Sequence, residues 1–202
     1  MNPLKSVPGT IVSGFVLSMI IIYLVGGDMS PGEWSSTEKW SLTVWLHVFF
    51  GIIWIGLLYY FNFVQVPAVA DAAADSGGPG PAGINKYVAP RALWWFRWAA
   101  LLTWLTGAVA LELMPGSSFA DAFLLKENVL IIGIGAWLGT IMLFNVWVLI
   151  WPNQKKVLGI VEATEEQKAK GKFIALMASR TNTLLSIPMI MCMVGHAHYM
   201  PL

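Results

Sequence analysis

The sequence contains few charged residues and a single cysteine. Only 11% of its 202 residues are Asp, Glu, Lys or Arg, while 57% are hydrophobic, and the mean hydropathy is +0.67. Soluble domains carry roughly twice that share of charge, so the composition indicates an all-α, polytopic integral membrane bundle in a lipid bilayer. The net charge of +1 and the absence of a basic patch interleaved with aromatic residues argue against nucleic-acid binding.

The cysteine count also limits the chemistry. Cys192 alone cannot form an internal disulfide, a CxxC site or a CxxCH motif. A haem in this protein would therefore be b-type, without the covalent attachment of a c-type motif.

Five apolar runs are long enough to cross a bilayer, since about 20 helical residues span about 30 Å. The predicted spans of one membrane domain, residues 1–202, are 8–26, 41–66, 91–113, 125–150 and 173–199. The first run is interpreted as an uncleaved helix, with a cleaved signal peptide as the alternative. Residues 68–90, rich in Gly, Pro and Ala, and the charged residues 151–172 are predicted to be loops.

The second span contains a histidine. Steps of three and four residues from His47 reach residues that share one helix face: Gly51, Trp54, Leu58, Asn62 and Gln65. Lipid cannot hydrogen-bond such side chains, so this face is predicted to contact helices or a cofactor. The opposite face, predicted to contact lipid, holds Val48, Ile52, Ile55, Tyr59 and Phe63.

His47 is predicted to be an axial ligand of a haem, with Trp54 beside the cofactor. Gly51, one turn from His47, would leave room for a macrocycle or for a close helix. The alternative is a histidine hydrogen-bonded to a neighbouring helix.

The other two histidines lie near the end of the fifth span, which five spans place on the same side as His47. Residues i and i+2 diverge by about 200° on a helix, so only one of His196 and His198 can point inward. His196 shares a face with Asn182, Met189 and Cys192, and His198 shares one with Arg180, Met191 and Val194. One of the two is predicted to be the second ligand of the haem iron. The alternative is that both are interfacial residues at a helix end.

A second polar group lies toward the other leaflet. Arg97, Arg180, Asn62, Asn145 and Asn182 are predicted to bind an anionic group such as a haem propionate, a lipid headgroup or a planar heterocyclic substrate. The alternative is structural, because arginines near span ends extend toward the interface and asparagines hydrogen-bond across helices.

The basic residues predict the orientation. With five spans, ten of the twelve lysines and arginines fall on one side: Lys5, Lys86, Arg91, Arg97, Lys155, Lys156, Lys168, Lys170, Lys172 and Arg180. By the positive-inside rule this side is cytoplasmic. A bacterial inner-membrane location with a cytoplasmic amino terminus and a periplasmic carboxyl terminus is therefore predicted.

Four segments resemble the membrane domain of the bacterial membrane-bound urate oxidases, a family in which a polytopic domain is fused to a cytochrome c. They are WLHVFFGIIWIG at 45–56, KYVAPRALWWFRWAALLTWLTG at 86–107, GTIMLFNVWVLIWPNQKKV at 139–157 and NTLLSIPMIMCMVGHAHYMPL at 182–202. The resemblance implies that His47 and His198 occupy histidine positions of the family.

The sequence departs from this family in three respects. It has no cytochrome c domain, its 113–125 region is shorter, and Gly133 and Thr181 stand where the family tends to carry histidine. The expected function is therefore electron exchange with a separate periplasmic cytochrome c, without urate turnover by this protein alone. The alternatives are a cofactor-free accessory subunit of a larger respiratory or transport complex and a split oxidoreductase acting on urate or a related purine.

Overall fold

A computed structural model of the protein describes residues 2–25 and 34–198, with side chains as far as residue 196. Every regular element among these residues is a helix, and none of them is a strand. The prediction of an all-α protein is therefore confirmed. The chain forms two compact units, Met1–Lys39 and Trp40–Leu202.

The unit Met1–Lys39 contains α1, Val7–Leu24, which follows a short 3-10 helix, Pro3–Lys5. The Ser6 hydroxyl caps α1 by accepting a hydrogen bond from the Gly9 backbone N–H at 3.1 Å. This helix corresponds to the span predicted over 8–26, although residue 26 lies outside the described residues.

The unit Trp40–Leu202 contains long helical stretches, several of which combine α-helical and π-helical segments. Its α-helices are α2 (Ser36–Tyr60), which begins four residues before the boundary of the unit, α3 (Val66–Ala74), α4 (Ala89–Glu112), α5 (Phe119–Phe123), α6 (Leu130–Phe144), α7 (Trp151–Val157) and α8 (Glu165–His198). The π-helical segments are π1 (Phe61–Gln65), π2 (Ile84–Val88) and π3 (Asn145–Ile150). A 3-10 helix, Glu127–Val129, precedes α6, and α8 packs along α6, π3 and α7.

Each π-helical segment is followed by an α-helix with proline at its second residue. The prolines are Pro67, Pro90 and Pro152. A proline has no N–H, and its ring clashes with the carbonyl four residues earlier in an α-helix. In a π-helical turn that carbonyl accepts a hydrogen bond from the N–H five residues later instead of four, and it therefore moves away from the proline ring. The loops predicted over 68–90 and 151–172 are therefore partly helical, because the prolines do not end the helices.

The core of this unit joins α2, α4, α6 and π3. Its fully buried side chains include Trp54, Leu58, Phe96, Met142 and Val146. Small residues on one face of α4 allow the neighbouring helices to approach: Ala92, Ala99 and Ala100. In a bilayer such close packing, together with interhelical hydrogen bonds, stabilises the association of helices, because lipid is as apolar as the core.

Four helical stretches of the described residues are long and apolar enough to cross a membrane. They are Val7–Leu24, Ser36–Ala74, Glu127–Val157 and Glu165–His196. They correspond to four of the predicted spans. The remaining one, α4, has 24 residues and so sufficient length, but Arg91, Arg97 and its tryptophans lower its hydropathy. The count of five spans and the single domain over 1–202 stay predictions.

The connection from α4 to α6 contains α5 and an ion pair. The Ser118 hydroxyl caps α5 by accepting a hydrogen bond from the Asp121 N–H at 3.2 Å, and the Asp121 carboxylate pairs with the Lys126 ammonium. The hydrogen bonds from Lys126 and from the Ser118 side chain hold the pKa of Asp121 below its ordinary value.

This pKa predicts a pH dependence of stability. Because the folded protein depresses the pKa of Asp121, the stabilisation is present above the unfolded value of about 3.9 and is lost as the pH falls through the folded value. We expect wild type to have a higher melting temperature than Asp121→Asn at neutral pH, and this difference should shrink below about pH 4. Thermal unfolding of both proteins across this pH range measures it. A difference that stays constant into the acid range would contradict the assignment.

Candidate cofactor site around His47

The imidazole of His47 is hydrogen-bonded to the backbone of α4. Its Nδ1 lies 2.8 Å from the carbonyl oxygen of Thr103. A carbonyl oxygen only accepts, so Nδ1 donates, and in the neutral ring the lone pair is then on Nε2. No group of the described residues hydrogen-bonds to Nε2. The ring is therefore fixed in a tautomer whose Nε2 can ligate a metal.

Gly107 makes this contact feasible. A Cβ at position 107 would lie 2.8 Å from Cε1 and 2.9 Å from Nδ1 of His47, well inside van der Waals contact. Because Cβ atoms tilt toward the start of a helix, a side chain at 107 would cover the carbonyl of Thr103 one turn earlier. Neither Thr103 nor Gly107 was identified from the sequence, where a glycine four residues after a threonine does not reveal which helix packs against it.

Gly51 and Trp54 have different surroundings. A Cβ at Gly51 would lie 3.8 Å from Cγ2 of Thr103, so this glycine faces the close helix α4, one of its two predicted roles. Trp54 is 2% exposed within the core, and its Nε1 is buried without a partner among the described residues. An unpaired buried donor costs about 1–3 kcal/mol. An acceptor atom of a bound group would satisfy it.

Tyr59 differs from the predicted lipid-facing set. Val48, Ile52 and Phe63 are exposed as predicted, whereas Ile55 packs against the core. The Tyr59 hydroxyl lies 2.9 Å from the Ser186 hydroxyl of α8. The prediction for Tyr59 is therefore wrong, because this hydroxyl has a partner on a neighbouring helix.

The contacts that Tyr59 and Asn62 make with α8 show where His47 and His196 lie along their helices. Tyr59 pairs with Ser186, and the Asn62 amide donates to Ser179 at 2.8 Å, so α2 and α8 run antiparallel. His47 lies twelve residues before Tyr59, and His196 lies ten residues after Ser186. At 1.5 Å per residue these separations are about 18 Å and about 15 Å. His47 and His196 therefore lie toward the same end of the two helices.

Burial along α8 separates the faces of its two histidines. Asn182, Met189 and Cys192, which share a face with His196, are buried, and His196 itself is half-buried. On the His198 face, Met191 and Val194 are 37% and 46% exposed, while the side chain of His198 lies outside the described residues. The face of His196 is thus the one turned toward the other helices.

The predicted anion-binding residues have separate partners. The Asn145 amide donates to Asn182 Oδ1 at 2.8 Å, and the Asn182 amide donates to the Met142 carbonyl at 2.9 Å. Arg180 is exposed, and the Arg97 guanidinium lies 3.8 Å from the ring centre of Trp151. The asparagines therefore hydrogen-bond across helices, as the structural alternative predicted, and anion binding by these residues stays a prediction.

The potential metal-ligating side chains suit a metal-containing group that itself supplies most of the ligands of its metal. Among the described residues, no cluster of three or more His, Cys, Asp or Glu side chains could hold a metal ion. A haem needs only axial ligands from the protein, because its macrocycle supplies the other nitrogens. The fixed imidazole of His47 and the half-buried one of His196 are the candidates for such ligands.

Gly133 is one of the positions at which the resembling family tends to carry histidine. A Cβ there would lie 2.2 Å from the carbonyl oxygen of Ala122, since the end of α5 packs directly on α6. The other position, Thr181, is exposed on α8. The short α4–α6 connection therefore occupies the space that a side chain at position 133 would need.

We expect Gly133→Ala to destabilise the protein by about 1–3 kcal/mol, because backbone atoms cannot yield as a flexible side chain does. Gly139→Ala in the same helix is the matched control, since no atom lies within 4 Å of its added Cβ. Helix propensity should leave that variant unchanged or up to about 1 kcal/mol more stable. Denaturant unfolding in detergent measures both, and equal stabilities would show that α5 does not restrict position 133.

The helices and the His47 site together define a helical protein with several stretches able to span a membrane and one histidine held in a defined tautomer. Residues 116–202 match the family model described as Urate oxidase N-terminal. That part of the chain is similar to the urate oxidase N-terminal domain, and it contains α5 to α8 with His196. The predicted resemblance is thereby confirmed for this region, whereas the segments 45–56 and 86–107 lie outside the match. No curated protein and no solved structure matches the chain.

Proposed function

We propose that the protein is a membrane electron-transfer subunit of the urate oxidase type that binds one b-type haem through His47 and His196. The hydrogen bond from His47 Nδ1 to the Thr103 carbonyl carries the proposal. Haem iron binds a neutral imidazole nitrogen, and metal-bound histidines commonly donate their other N–H to a carbonyl or carboxylate. The arrangement at His47 is of that kind.

Each residue of the site has a separate task. His47 and His196 hold the iron from two antiparallel helices, and Thr103 keeps the His47 ring in the required tautomer and orientation. The buried N–H of Trp54 has no partner among the described residues and would pair with an acceptor on a cofactor that reaches it. When bound, the haem supplies one-electron oxidation and reduction.

The proposed redox partner is a periplasmic cytochrome c, because the resembling family joins its membrane domain to one. The distribution of basic residues supports a cytoplasmic amino terminus in a bacterial inner membrane, which directs the histidine end toward the periplasm. A tag on the carboxyl terminus should then report the periplasm, and a tag within 151–172 should report the cytoplasm.

Optical spectra of protein expressed with ample haem test the proposal. We expect a Soret band in wild type and in His198→Ala, and its loss in His47→Ala and His196→Ala, with unchanged helix content in all four. Wild type without a Soret band would contradict the proposal and favour a cofactor-free accessory subunit. If His198→Ala loses the band and His196→Ala keeps it, the second ligand is His198 instead of His196.

A urate assay separates this proposal from the split-enzyme alternative. We expect no loss of urate when the purified protein is incubated with or without added cytochrome c. Turnover that requires both His47 and the added cytochrome would make the chain part of a purine-oxidising enzyme.

A further inference from the structure

Two cations lie around one indole at the start of α7. The Arg97 guanidinium of α4 is 3.8 Å from the ring centre of Trp151, and the Lys155 ammonium, one turn along α7, is 5.8 Å from the same centre. A cation over an indole face is attracted by the ring, which fixes its position but leaves its charge uncompensated.

No carboxylate neutralises these cations within the described part of the chain. Neither Arg97 nor Lys155 takes part in an ion pair among these residues, whose ion pairs include Lys126–Asp121 and Lys168–Glu165. Arg97 also makes no hydrogen bond to a described residue, and none of its nitrogens is among the buried polar atoms that lack a partner. The planar N–H donors of Arg97 are therefore accessible and make no hydrogen bond to a described residue.

The surroundings of Arg97 are aromatic and exposed. Trp94 and Trp98, which flank it on α4, are 47% and 40% exposed. Tryptophans with such exposure are typical of the headgroup region of a bilayer, and Trp151 lies near the end of the membrane-spanning stretch Glu127–Val157. A ligand for Arg97 therefore approaches from the lipid side.

We propose that Arg97, Lys155 and Trp151 form a binding site for the phosphate of an anionic phospholipid. The Arg97 fork can donate two parallel hydrogen bonds to phosphate oxygens, and Lys155 adds a second positive charge. The indole holds the guanidinium in place and lies at headgroup depth. This site is independent of the haem proposal and uses none of its residues.

Native mass spectrometry of the full chain in detergent tests the site, with dioleoylphosphatidylglycerol and dioleoylphosphatidylcholine as probes. We expect the anionic lipid to bind at least about fivefold more tightly, since each basic residue near the surface contributes about that factor. Arg97→Gln should weaken its binding about tenfold or more, and Lys155→Gln about fivefold.

Lys156→Gln is the matched control, because it removes the same charge from the adjacent residue, whose ammonium makes no contact with Trp151. It should weaken binding of the anionic lipid less than Lys155→Gln does, because it removes only the general attraction of a basic residue near the surface. Equal binding of the two lipids, or equal losses in Lys155→Gln and Lys156→Gln, would overturn the proposal. If Arg97→Gln does not fold, the comparison of the two lysine variants decides. Displacement of the lipid by millimolar inorganic phosphate would overturn the assignment to a lipid.

Discussion

Replacing Gly107 with alanine is expected to expel the His47 imidazole from its place on α4. The added Cβ would lie 2.8 Å from Cε1 and 2.9 Å from Nδ1, so the ring must rotate away and lose its 2.8 Å hydrogen bond to the Thr103 carbonyl. We expect a loss of about 1–3 kcal/mol in stability, although alanine is the better helix former by about 1 kcal/mol.

Nitrogen NMR of protein labelled at histidine measures the effect without any cofactor. Wild type should show a His47 signal with the proton on Nδ1, assigned by its loss in His47→Gln, and Gly107→Ala should lose that single tautomer. Gly56→Ala, which meets no atom within 4 Å, is the control and should retain it. An unchanged His47 signal in Gly107→Ala would disprove the steric role of Gly107, whether or not wild type binds haem.

The second large effect is expected at Asn182, which is completely buried between α6 and α8. Its side chain accepts from the Asn145 amide and donates to the Met142 carbonyl. Asn182→Leu introduces an apolar side chain of comparable size, but it leaves the Asn145 amide buried without an acceptor. We expect a loss of about 1–3 kcal/mol.

The double variant distinguishes the hydrogen bond from simple packing. Asn145→Leu together with Asn182→Leu removes both polar groups, so it should be more stable than Asn182→Leu alone. Denaturant unfolding in detergent measures the free energy of unfolding of wild type, of each single variant and of the double variant. If the second substitution adds a further full loss, the amide pair is not the source of the effect.

Sequence periodicity predicted the helices well, because lipid-length apolar runs and a stripe of polar residues are local properties of α2 and α8. It also predicted that His196 shares a face with Met189 and Cys192, and the latter two are buried. The same pattern assigned Tyr59 to lipid, since no local signal shows that Ser186 lies opposite its hydroxyl.

The fixed position of the imidazole could not be predicted in the same way. The contact of His47 with Thr103 and Gly107 joins residues 56 and 60 positions apart, and it depends on which helices are neighbours. The sequence also predicted loops over 68–90 and 151–172, whose boundaries lie at or beside the prolines at 67, 90 and 152. The π-helical turns that precede them keep the chain helical, and their geometry depends on the packing around them.

These π-helical turns make the chain tolerant of changes in length at defined points. A π-helical turn holds one more residue than an α-helical turn, so a deletion within π3 could be absorbed by conversion to regular α-helix. With one residue fewer the turn would still complete a full rotation, so α7 would keep nearly its orientation relative to α6. Trp151 would then stay near the guanidinium of Arg97, and a deletion after Asn145 would leave the hydrogen bond between Asn145 and Asn182 in place. A one-residue deletion in a purely α-helical stretch such as α4 would instead rotate the residues that follow by about 100°.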